Sequence, residues 1–116
     1  PKVHAKLGSI YILQKNLKKA ESSLVYAVQE EPENQQLLAS LSAIYLANKK
    51  PQEALRVAKK AILLNPSPDV YVTMGAAYEA LKDFDNAIVA YQRAIDVGGS
   101  SPELEEKLIE IEKNVH

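Results

Sequence analysis

Three tyrosines set the frame of this sequence: Tyr11, Tyr45 and Tyr78 are separated by 34 and 33 residues. The same two intervals separate Ala20, Ala54 and Ala87, and again Ala27, Ala61 and Ala94, while Leu7, Leu41 and Met74 keep the step. Self-similarity at such a period means that one supersecondary unit is stacked on copies of itself, each touching mainly its neighbours. Pro32 and Pro66 also lie 34 apart, but the next step lands on Gly99, so the third unit closes differently.

Within each unit the apolar residues recur at helical spacing, as in Leu7, Ile10, Tyr11 and in Leu17, Ala20, Leu24, Ala27, Val28. Short polar breaks at Gln14-Lys15-Asn16, Asn48-Lys49-Lys50 and Lys82-Asp83 divide each unit into two helices. Ser67 with Pro68 and Asp69, Asp83, and Ser101 with Pro102 and Glu103 mark helix starts by cap, first-turn proline and dipole-matched acid. Gly98-Gly99 marks a helix end. The pattern predicts seven helices, near 2–14, 17–30, 35–48, 51–64, 68–81, 84–97 and 102–114.

The repeating residues resemble the tetratricopeptide repeat (TPR), whose signature runs W-x2-L-G-x2-Y, then A-x3-F, then P. The first copy reads His4, Leu7, Gly8, Tyr11, Ala20, Leu24, Ala27, Pro32. The second reads Leu38, Leu41, Ser42, Tyr45, Ala54, Ala58, Ala61, Pro66, and the third Tyr71, Met74, Gly75, Tyr78, Ala87, Tyr91, Ala94. No copy has the tryptophan, and Ser42 stands where the other two have glycine. The resemblance implies an all-α, right-handed α-solenoid: repeats 1–34, 35–67 and 68–101, closed by a capping helix at 102–116. It places Gly8, Gly75, Ala20, Ala54 and Ala87 where the paired helices approach most closely. In the last helix Leu104, Leu108, Ile111 and Val115 form one narrow apolar stripe among acids, as a cap over an exposed solenoid end requires. At the other end Val3, Leu7 and Ile10 have no such cover, so further repeats are expected to precede Pro1 in a longer protein.

The resemblance further implies that the first helices of the repeats line a concave groove whose ligand-facing positions are Lys2, Ala5, Ser9 and Ile12; Gln36, Ala39, Ala43 and Leu46; and Asp69, Val72, Ala76 and Glu79. Residues 34–48 contain no charged side chain. Enclosure by neighbouring repeats explains Leu38, Leu41 and Tyr45 but not the opposite face, where Ala39, Ala43 and Leu46 make a shallow apolar trough with Ser9, Ser40 and Gln36 as hydrogen-bonding groups. Such a surface suits an amphipathic helix or an extended apolar peptide of another protein. One TPR subclass holds the terminal carboxylate of heat-shock chaperones with Lys and Asn. At the corresponding positions this chain has Ala5, Ser9, Ser40, Val72 and Thr73, none of them cationic.

Charge is distributed unevenly. Residues 1–66 carry ten Lys or Arg against five acids, and 67–116 carry four against ten, giving a net charge of −1. Lys15, Lys18, Lys19, Lys49, Lys50, Arg56, Lys59 and Lys60 fall on loops and second helices, the expected outer face. Beside a plain solvated surface, two readings remain: a convex edge for an acidic partner, or self-association between the basic front of one copy and the acidic rear of another.

Other function classes lack support. The chain has no cysteine, which removes thiolate catalysis, disulfides and Cys-ligated zinc. His4 and His116, at opposite ends, have no metal-ligand spacing. Glu30 and Glu31 precede Pro32 in a helix exit and read as a solvated turn. No glycine-rich phosphate loop, basic aromatic stripe or long apolar segment is present, so no catalytic residue, metal, cofactor, nucleic acid or membrane insertion is expected. The sequence thus predicts a soluble, non-catalytic interaction module, with stacking against other copies or other repeats as the alternative.

Overall fold

The computed structural model describes residues 3–115 and the side chains of residues 5–114; Lys2, the side chains of Val3, His4 and Val115, and His116 lie outside the described residues. Seven helices follow one another: α1 (Val3–Leu13), α2 (Leu17–Glu30), α3 (Gln35–Ala47), α4 (Pro51–Leu64), α5 (Pro68–Ala80), α6 (Phe84–Gly98) and α7 (Pro102–Val115). No strand occurs among the described residues. Consecutive helices pack on one another and α3 also packs on α5, so the chain stacks into a rod of about 47 × 25 × 22 Å.

The turn inside each repeat explains the tyrosine spacing. Lys15, Lys49 and Lys82 adopt φ of 58°, 63° and 61°, and the following residues Asn16, Lys50 and Asp83 donate their N–H groups back to the carbonyls of Tyr11, Tyr45 and Tyr78. Lys15, Lys49 and Lys82 donate to the carbonyls of Ile12, Leu46 and Glu79. This pair of bonds is a Schellman motif, and a non-glycine residue in its left-handed position carries strain. Asn16 and Asp83 then cap the next helix with their side chains, accepting from Lys19 and Asn86. Asn34 likewise caps α3, whereas Ser67 starts α5 without a side-chain cap bond.

Helix pairs close through matched volumes. Ala20, Ala54 and Ala87 are fully buried, as the resemblance implied. A Cβ on Gly8 would lie 3.0 Å from Leu24, and one on Gly75 would lie 2.7 Å from the Tyr91 ring. In repeat two the same positions are Ser42 and Ala58, both fully buried, and the Ser42 hydroxyl donates to the Ala54 carbonyl at 2.8 Å. Glycine thus stands where the facing side chain is large, and serine where it is alanine; Ser42 satisfies its own hydroxyl on the neighbouring helix.

The core forms two clusters: one spans α2 to α5 through Leu24, Leu38, Leu41, Ile44, Tyr45, Leu55 and Val70, and the second holds Ala87, Tyr91 and Ile111, with the partly buried Tyr78 touching both. Leu104, Leu108 and a fully buried Ile111 turn the apolar stripe of α7 onto this second cluster. Gly98 ends α6 against Pro68, where a Cβ would meet the ring at 2.6 Å, and Gly99 follows at φ 89° with its N–H on the Ile95 carbonyl. Position for position, Ile10 corresponds to Ile44 and Ala77. It is 46% exposed where they are 6% and 0%, because α2 and α4 cover those two.

Candidate functional site: the face of the first helices

Of the groove positions, Lys2 lies outside the described residues. Ala5, Ser9, Ile12, Gln36, Ala39, Ser40, Ala43, Leu46, Asp69, Val72, Ala76 and Glu79 all retain solvent exposure, although α1, α3 and α5 contribute many buried residues. Ser9, Ile12, Gln36, Ala43 and Asp69 are the most open of them. Ala39 and Leu46 are only partly buried and rest against the core cluster, so the trough floor is continuous with the interior.

Two recesses occupy the ends of this face. Between α1 and α3, about 370 Å³ is lined by Ala5, Ser9, Ile12, Gln36 and Ser40 together with Lys6, Leu24, Glu31, Asn34 and Leu37. At the other end, about 600 Å³ opens between α5, α6 and α7, lined by Asp69 and Val72 with Tyr91, Ala94, Leu104 and Lys107 among others. Ala39, Ala43, Leu46, Ala76 and Glu79 line neither recess.

Glu79 is committed within the chain. One carboxylate oxygen accepts the Tyr91 hydroxyl at 2.6 Å and the other lies 3.3 Å from the Lys107 ammonium. Burial, and the hydrogen bond to Glu79, push the Tyr91 phenol well above its ordinary pKa, so it stays protonated and donates. The same triad ties α7 to α5 and α6. Ser9 also spends its hydroxyl internally, donating to the Ala5 carbonyl.

Sequence reasoning did not single out Lys6, Asn34, Leu37, Tyr91, Leu104 or Lys107 as recess residues. A signal existed for one pair: Leu24 and Tyr91 occupy the same repeat position and each lines a recess. Lys107 has no such signal, because only the packing angle of α7 brings it to Glu79.

On the opposite side, the basic residues are not uniformly solvated. The Lys50 ammonium contacts Glu21 at 2.8 Å, and the Asn48 amide donates to both Glu21 and the Leu17 carbonyl, binding repeat two to repeat one. Burial raises the Glu21 pKa, but the hydrogen bonds from Lys50 and Asn48 outweigh it and leave the carboxyl below its ordinary value. Lys19 and Lys50 also sit 5.8 and 5.9 Å from the ring centres of Tyr11 and Tyr45. Arg56 pairs with Glu53 at 3.1 Å. Among the described residues no group of three His, Cys, Asp or Glu could hold a metal ion, and no helix is long and apolar enough to cross a membrane.

Tetratricopeptide repeat family models match residues 11–74, more than half of the chain, and residues 68–97. The chain belongs to the tetratricopeptide repeat family. Heat shock protein STI1 of Saccharomyces cerevisiae is 30% identical over 108 residues, covering 91% of this chain, which spans only 18% of STI1. Among solved structures, the first TPR of Spaghetti (RPAP3), described as bound to the HSP90 peptide SRMEEVD, superposes with a TM-score of 0.91 at 24% identity. That match covers 97% of this chain and 90% of the other. The second TPR domain of human RPAP3, in complex with the HSP70 peptide SGPTIEEVD, gives 0.87 at 19% identity, over 94% and 92% of the two chains. MamA gives 0.89 at 22%, over 98% of this chain and 63% of MamA. The TPR family is a protein-interaction fold, and at these identities the structural matches establish the solenoid architecture.

Proposed function

We propose that this TPR chain binds a segment of another protein along the face of α1, α3 and α5, as a non-catalytic interaction module. The single observation carrying the proposal is that the middle of this face is open yet uncharged: Ala43 and Gln36 are exposed in a stretch, residues 34–48, that has no charged side chain. A merely solvated helix face carries charge. The segment that fits is an apolar or weakly polar peptide or an amphipathic helix, its side chains seated in the two terminal recesses and its backbone crossing the alanines between them.

Acidic chaperone tails of the kind held by the RPAP3 domains do not suit this face. No cation stands at Ala5, Ser9, Ser40, Val72 or Thr73. Lys6 does line the first recess, but Glu31 lines it too, so a carboxylate entering there meets no net positive charge. Lys107 at the second recess is already paired with Glu79.

Panning a random peptide library against the chain tests the proposal. Enriched peptides are expected to be poor in acids and to lose binding to Ala43→Glu, a substitution at an exposed position that leaves the core intact. Equal binding to parent and variant would refute the groove. Micromolar binding of SRMEEVD or SGPTIEEVD in a calorimetric titration would refute the exclusion of acidic tails.

A further inference from the structure

Away from the groove, the cleft between α2 and α4 holds two recesses, the first floored by Leu38, Leu41 and Tyr45 of α3. One, of about 240 Å³, has Val25, Val28 and Val57 in its walls with Arg56 and Lys60; the other, of about 270 Å³, is lined by Lys18, Glu21, Ser22, Asn48 and Lys50. The cleft thus carries four cations against Glu21, which pairs with Lys50, and the flanking Glu53, which pairs with Arg56, leaving a net charge of +2 carried by Lys18 and Lys60. The fold does not require them. One repeat later, in the equivalent cleft between α4 and α6, Lys18, Lys50 and Arg56 are replaced by Gln52, Asp83 and Val89, and only Lys60 keeps its charge, as Arg93.

The complementary surface lies on α7. Its apolar stripe is turned inward, with Ile111 fully buried, yet Ile109 projects outward at 55% exposure, flanked one turn away by the exposed Glu105, Glu106 and Glu112 and by one cation, Lys113. Capping explains Leu104, Leu108 and Ile111; it does not explain an isoleucine on the acidic side.

We infer that this chain self-associates, the outward face of α7 in one copy docking into the α2–α4 cleft of another. Ile109 packs on the valine walls, and the glutamates face Lys18 and Lys60, since Lys50 and Arg56 already hold Glu21 and Glu53. One surface lies between the first two repeats and the other on the capping helix, so the contact is heterologous and propagates into chains or closed rings rather than stopping at a symmetric pair. Both surfaces lie away from the residues assigned to the groove, so peptide binding and self-association can fail independently.

Sedimentation velocity reads this directly, from about 5 to 500 µM protein in about 20 and 500 mM NaCl, a range that shortens the screening length several-fold. The expected result is a mass that grows with concentration in low salt, beyond a dimer, and returns toward the monomer in high salt. Ile109→Lys blocks the α7 face, and Lys18→Glu with Lys60→Glu blocks the cleft; each is expected to weaken association at least about tenfold while leaving helicity unchanged. Because each variant keeps one intact surface, an equimolar mixture of the two is expected to form a dimer and nothing larger. A parent that stays monomeric throughout overturns the inference and leaves the cleft to an acidic segment of a different protein. A mass insensitive to salt, or a mixture that stays monomeric, overturns it as well.

Discussion

Gly75 and Tyr91 are coupled strongly enough for the sign of one substitution to depend on the other residue. A Cβ at position 75 would stand 2.7 Å from Cε1 and Cζ of the Tyr91 ring, which is 2% exposed and held by its hydroxyl on Glu79 at 2.6 Å. The ring cannot swing away without giving up that bond. Overpacking of this kind costs about 1–3 kcal/mol. Replacing glycine by alanine inside a helix returns about 1 kcal/mol, so Gly75→Ala is expected to destabilise by about 0–2 kcal/mol. That corresponds to a fall in melting temperature of up to about 8 °C for a domain near this size. In a Tyr91→Ala background the clash is gone and the same substitution is expected to stabilise by about 1 kcal/mol. Urea unfolding of the four proteins, followed by circular dichroism, should give a coupling energy of about 1–3 kcal/mol. Additivity within about 0.5 kcal/mol would refute the volume-matching account of the helix pairs. Gly8→Ala supplies the contrast: its Cβ meets an aliphatic Leu24 at 3.0 Å, so its cost is expected to be smaller.

Three further outcomes are expected. Lys82→Gly relieves a left-handed residue at φ 61°; about 1–2 kcal/mol of strain relief, less about 0.4–1 of added chain entropy, leaves a net gain of about 0–1.6 kcal/mol in a thermal melt. Ala54→Leu, at a fully buried position, is expected to lose about 1–3 kcal/mol, and a melt equal to the parent's would contradict the close approach of α3 and α4. The Glu21 carboxyl has a lowered pKa in the folded state, so its contribution is present above the unfolded-state value and vanishes as pH falls through the folded one. Parent and Glu21→Gln should therefore differ in stability at pH 7 and converge as the pH is lowered through and below the ordinary carboxylate range. A gap that persists at the acid end would exclude the Lys50 and Asn48 bonds as its source.

Much of the fold was legible because its determinants are local and repeat. Among the described residues, polar breaks, caps and prolines place the internal helix boundaries within a residue or so of the observed ones, and the expected start of the first helix at residue 2 lies outside them; α7 is readable from one narrow stripe. Less visible were the interactions that depend on how one helix pair rotates against the next. Lys50, read as part of a solvated basic face, is bonded to Glu21 of the preceding repeat, and Asn48 reaches the Leu17 carbonyl. Glu79, assigned from its repeat position to a ligand-facing role, has its carboxylate engaged by Tyr91 and by Lys107 from outside the repeats. No periodicity encodes that meeting. The recesses were illegible for the same reason: each is a gap between helices of different pairs, and its size follows from side chains on both sides. Ser42, a departure from the signature, is explained by the small Ala58 it faces and by the Ala54 carbonyl that accepts its buried hydroxyl.

Engagement of partners on the face of α1, α3 and α5 can be mapped directly. A titration of the isotopically labelled chain with a library-selected peptide, followed by amide chemical shifts, locates the contact residue by residue. The largest changes are expected on Ser9, Ile12, Gln36, Ala39, Ala43 and Ala76. Changes concentrated instead on the outer residues of α2, α4 and α6, with these amides unmoved, would contradict that engagement.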